Sequence, residues 1–127
     1  MTSDPDQTAD IQDLIRKLRK EVTRKPGAAT RHLLKRKLRG HLPVDASLKD
    51  YDQLIGHLLE NNEAAIYVYY TGEISYLAVV ARFDNKVWLV IMSFEGVMET
   101  AFVVENPDAY LERDEFQFFG LMGEVIK

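Results

Sequence analysis

Between Ala64 and Val104 the chain alternates four apolar runs with three short polar breaks, Gly72-Glu73, Asp84-Asn85 and Glu95-Gly96. The runs are rich in Val, Ile, Tyr, Phe and Trp, which suit a pleated surface. Two polar residues between such runs reverse the chain as a hairpin. The pattern therefore predicts a four-stranded antiparallel meander over 64–71, 74–83, 86–94 and 97–104.

Two-residue loops fix the strand register, and the register fixes which face each side chain takes. Phe94 then sits opposite Val97, Ile91 opposite Thr100, Ala78 opposite Ile91, Tyr76 opposite Ser93, and Tyr69 opposite Tyr76. One face gathers Ile66, Val68, Tyr70, Leu77, Val79, Ala81, Phe83, Trp88, Val90, Met92, Phe94, Val97, Ala101 and Val103, with Glu99 as its only charge. That face is the expected core. The other mixes Tyr67, Tyr69, Tyr76, Arg82, Ser93 and Thr100 with apolar residues that include Met98, and is the expected working surface.

Helical spacing dominates upstream. Residues 1–7 read as a disordered tail, and Asp6 or Thr8 can cap a helix to about Lys25 through Ile11, Leu14, Ile15, Leu18 and Val22. Pro26-Gly27 ends it. A second helix over 28–39 carries Leu33, Leu34 and Leu38 and stops at Gly40. A third, over about 46–61, starts at Asp45 or Ser47 and offers Tyr51, Leu54, Ile55, Leu58 and Leu59, with His57 on its exposed flank. The segment 105–127 either adds a fifth strand through FQFFGLMG or covers part of the sheet. The expected architecture is a single α+β domain with the helical part (8–61) packed on one face of the sheet (64–104).

Charge is unevenly spread. Residues 16–41 hold eleven Lys/Arg against Glu21 alone, whereas residues 42–127 hold five Lys/Arg against fifteen acids. Part of this bias serves helix dipoles. Yet Lys35-Arg36-Lys37-Leu38-Arg39-Gly40-His41 exceeds what helix capping needs, and such a block beside an acidic body suits contact with nucleic acid. The chain contains no cysteine, which excludes disulfides and thiol chemistry. Three histidines without ligand spacing leave no metal signature, and neither phosphate-binding glycine loops nor G-x-S-x-G occur. No cofactor is expected. No apolar run approaches the roughly 20 residues of a membrane helix, and the acidic start lacks signal-peptide character. A cytoplasmic location is expected.

The remaining chemistry is His41 beside cations, together with Arg82, Thr100 and three tyrosines on the mixed face. RNA cleavage needs a base, an acid and fixed positive charge, which His, Arg and Lys supply. Tyrosines can stack unpaired bases. The order of helices, the basic stretch KRKLRGHLP, a further helix, a meander, and Glu-Thr-Ala-Phe on its last strand resembles the barnase–EndoU–colicin–RelE superfamily of small metal-independent RNases. It is most similar to the colicin D-type and phage-associated members. The resemblance spans about residues 31–104. It implies RNA cleavage through a 2′,3′-cyclic phosphate, as in toxin-type endoribonucleases, and so an RNA partner and a cognate inhibitor protein. By motif, His41 becomes the general acid/base, Lys37 and Arg39 phosphate ligands, and Thr100 the group that orients the scissile phosphate. The face argument adds Arg82 as catalytic. Lys35, Tyr67, Tyr69 and Tyr76 join as RNA-binding residues. The rival expectation is a non-catalytic immunity-like, antitoxin-like or regulatory module that docks a partner through the basic helices and the mixed face.

Overall fold

A computed structural model describes residues 5–126. The fold is α+β. Helices α1 (Pro5–Lys20), α2 (Ala28–Leu38) and α3 (Leu48–Glu60) precede strands β1 (Ala65–Tyr70), β2 (Ser75–Phe83), β3 (Lys86–Ser93) and β4 (Met98–Val103). The short helix α4 (Pro107–Leu111), strand β5 (Phe116–Leu121) and a last turn α5 (Met122–Val125) follow. The sheet is antiparallel throughout, in the order β4-β3-β2-β1-β5. The C-terminal segment takes both expected roles: β5 extends the sheet beside β1, and α4 lies against its second face.

Helix α1 starts earlier and ends sooner than its spacing predicts. Pro5 opens it, because proline fits a first turn whose N–H groups lack partners anyway. Residues 5–7 are thus helical rather than part of a tail; the rest of the expected tail, 1–4, lies outside the described residues. The helix stops at Lys20 because Thr23, in the extended stretch that follows, accepts a 2.7 Å bond from the Met98 N–H on the edge of β4. Helix α3 begins as its sequence suggests. Ser47 and Asp50 form a reciprocal capping box.

The core lies between the sheet and helices α1 and α3. Ile11, Leu14, Ile15 and Leu18 face Tyr51, Leu54, Ile55, Leu58 and Leu59, over Ile66, Leu77, Val79, Trp88, Val90, Met92 and Ala101. Each buried Leu, Ile, Val or Met among them contributes about 1.5–3 kcal/mol of transfer free energy. Tyr51 is fully buried, and its hydroxyl donates 2.7 Å to the Ala101 carbonyl, which ties α3 to β4.

Two hairpins follow the expected register and the third does not. Asp84 and Asn85 both take positive φ (52° and 64°), the twist of a tight primed turn. The pairs Tyr69–Tyr76, Tyr67–Ala78, Tyr76–Ser93 and Ala78–Ile91 form as expected. At the third reversal the loop is Phe94-Glu95-Gly96: Ser93 and Val97 are bonded across it, and Gly96 takes φ 95°. Met92 therefore pairs with Met98, and a bulge at Glu99 restores Ile91–Thr100. This local slip moves Met98 into the core, while Phe94 is exposed. Glu99 is not a core charge; it reaches Lys25 at 3.3 Å. Tyr70 and Phe83, also expected inside, lie at strand ends and are exposed, Phe83 with its ring stacked on His57 of α3 at 6.0 Å.

Candidate functional site

Local sequence fixes His41. Helix α2 ends in a reciprocal pair of backbone bonds, Gly40 N–H to Lys37 O and His41 N–H to Arg36 O, closed by Gly40 at φ 72°. This glycine-closed motif normally carries an apolar contact between its third-last helical residue and the residue after the glycine. Here those two positions are Arg36 and His41, and Arg36 Nη1 lies 3.2 Å from His41 Nδ1. The same Nδ1 accepts the Val103 N–H of β4 at 3.3 Å. The imidazole thus latches the end of α2 onto the edge strand, with its ring edge against Trp88 at 6.0 Å between centroids.

That geometry fixes the tautomer. A guanidinium and a backbone amide can only donate, so Nδ1 is the acceptor and the ring proton sits on Nε2. His41 is held neutral: burial lowers its pKa, and Arg36, Arg39 and Lys86 lower it further against the pull of Glu105. Arg36 is itself 3% exposed and lies over the Phe102 ring at 5.7 Å. It forms no ion pair, and its Nε has no hydrogen-bond partner among the described residues. A buried guanidinium without a carboxylate is costly, because the cation has lost water and gained no opposite charge.

Beside this latch a groove of about 720 Å³ is lined by Arg39, His41, Phe102, Glu105, Asn106 and Tyr110, among others. Phe102 and Tyr110 meet edge to face at 6.2 Å. The groove is therefore lined by a cation, a neutral imidazole, a carboxylate and two aromatic rings. Such a set can hold a phosphodiester and accept a proton next to it.

Of the residues singled out from sequence, Arg39 and His41 line this groove. Thr100 does not join them: it shares the second face with Ile91 and Phe102, three residues before Val103 and about 10 Å back along the strand. Arg82 is exposed opposite Val87, four strand positions or about 13 Å from the Ile91–Thr100 pair toward the groove end; β3 separates it from Val104, and it does not line the groove. Tyr67, Tyr69 and Tyr76 are half-buried in a second apolar cluster with Ala78, Leu89, Ile91 and Phe116, and Tyr69 stacks on Phe116 at 4.6 Å. Lys35 is exposed on the outer side of α2, and Lys37 is half-buried. The expected constellation is thus divided between the groove and the sheet face.

Sequence reasoning missed Glu105, Phe102, Tyr110 and the buried Arg36. Glu105 directly follows the fourth run of the expected meander, 97–104, and that position was the available signal. Arg36 gave none: Leu34 and Leu38 marked the opposite side of the helix as apolar. The chain gives no significant match to any protein-family model, curated protein or solved structure.

Proposed function

We propose that the groove beside β4 binds single-stranded RNA and cleaves it by attack of the 2′-hydroxyl on the adjacent phosphorus. What supports this reading is one observation: Arg39, His41 and Glu105 meet in a single groove walled by Phe102 and Tyr110. Glu105 is the base that takes the 2′-hydroxyl proton. The 2′-oxygen then attacks phosphorus to form the 2′,3′-cyclic phosphate. The P–O5′ bond breaks, and the 5′-oxygen leaves with a proton from solvent. Arg39 supplies fixed charge to the phosphorane, and His41 acts through its Nε2–H as a neutral donor rather than as the acid/base its motif implies. The aromatic walls suit an unstacked base.

A second reading is a binding module that holds the same strand without cutting it. It is favoured by the two donors on His41 Nδ1, which keep the ring from becoming the imidazolium acid that the departing 5′-oxygen would otherwise use. End-labelled RNA incubated with the protein in EDTA separates the two. The first reading expects cyclic-phosphate ends and a loss of roughly a hundredfold or more in Glu105→Gln, with binding by fluorescence anisotropy retained. Binding without cleavage selects the second reading, and absence of both rejects the groove as an RNA site. Binding should also weaken steeply with salt, since Arg39 and its neighbours act by displacing counterions.

A further inference from the structure

Helix α2 is mounted inside out. Its inner side presents Arg36, His32 and Leu33 to the body of the protein, while Leu34 and Leu38 are 56% and 78% exposed. Arg31, Leu34, Lys35 and Leu38 follow the i, i+3, i+4, i+7 spacing of a single helical stripe. Val44, 84% exposed, continues the apolar exposure just past the helix. Among the described residues none of the stripe's cations, Arg31 and Lys35, nor Lys37 beside them, pairs with a carboxylate. Arg31 donates to the Gly27 carbonyl at 2.9 Å. The second apolar position of this stripe, Leu38, is more open to water than any leucine of the core helices.

We propose that this outward stripe of α2 is the docking surface for an acidic amphipathic helix of another protein, its leucine-type side chains against Leu34 and Leu38 and its carboxylates against Arg31 and Lys35. Charge complementarity selects the occupant. Two copies of α2 face to face would oppose arginine and lysine to themselves. A bare phosphate backbone would satisfy the cations but leave the leucines in water, whereas helix-on-helix recognition uses apolar anchors at this spacing with charges on the rim. The surface uses neither Glu105 nor the RNA groove, so it stands or falls separately from the proposed cleavage.

The test uses the full chain and a fluorescent helical peptide of about 20 residues, built from Leu and Glu at heptad spacing. Saturable binding is expected in anisotropy. Leu34→Ser/Leu38→Ser should weaken it at least roughly tenfold while circular dichroism stays unchanged, because both side chains are already in water. Arg31→Glu/Lys35→Glu should weaken it similarly and create binding to a matched Leu/Lys peptide. The proposal is overturned by peptide binding unaffected by the leucine substitutions, or by equal affinity for a glutamate-only peptide. It is equally overturned if no peptide binds, if the stripe instead drives phosphatidylserine-vesicle binding, or if it drives self-association in sedimentation.

Discussion

Acidification through the histidine range should loosen this protein, because its folded state holds two imidazoles neutral. His41 has its pKa lowered by burial and by Arg36, Arg39 and Lys86; His32 has its pKa lowered by burial and by Arg24, Arg36, Arg31 and Lys35. In the unfolded chain both titrate near the ordinary value of about 6.5. Above that pH both states are neutral and stability is full. As pH falls below it, the unfolded chain gains protons that the folded one refuses, so stability declines until the lower folded pKa values are passed. The ceiling is about 1.4 kcal/mol per pH unit for each imidazole. Both rings keep some solvent contact, so screening holds the observed slope below that ceiling. Urea denaturation at a series of values between about pH 5 and 7.5 reads this slope above the range in which carboxylates titrate. His41→Gln keeps an acceptor for Val103 but cannot titrate, and should make the acid slope shallower by removing the His41 contribution. A flat profile, a profile rising toward acid, or an unchanged slope in His41→Gln refutes the latch as described.

Two further expectations concern the elements that carry the groove. Tyr51→Phe removes the buried hydroxyl bond to Ala101 and leaves that carbonyl without a partner, which should lower stability by about 1–3 kcal/mol in denaturant titration. Burial pushes the Tyr51 pKa up to about 12 against the opposing pull of Arg36 and Arg24, so it remains a neutral donor at any pH used. Asn85→Val, which forces a β-branched residue into φ 64°, should cost about 1–2 kcal/mol in thermal unfolding, whereas Asn85→Gly should change stability by less than about 1 kcal/mol.

The fold was largely legible because its signals were local. Asp84-Asn85 set a hairpin by turn chemistry alone, and Ser47 with Asp50 marked a helix start. The third reversal was harder to read: Glu95-Gly96 has the look of a two-residue loop, yet Phe94 joins it, and only the compensating bulge at Glu99 keeps Ile91 opposite Thr100. The meaning of α2 was hidden for a deeper reason. Apolar spacing reports which side of a helix prefers burial, but α2 buries Arg36 over Phe102 of β4, half-buries His32 and leaves Leu34 and Leu38 outside, a choice set by tertiary contacts. The groove was half legible: the basic run ending in His41 pointed to it. Glu105 and Tyr110 come from a segment whose path over the sheet depends on the fold as a whole.

Backbone amide shifts recorded during titration with a short single-stranded RNA test the groove assignment most directly. The account predicts that perturbations centre on Arg39, His41, Phe102, Glu105 and Tyr110, with Arg82 and Tyr76 unmoved. Perturbations centred on Arg82, Tyr76 and Tyr69, or none at saturating RNA, would contradict it.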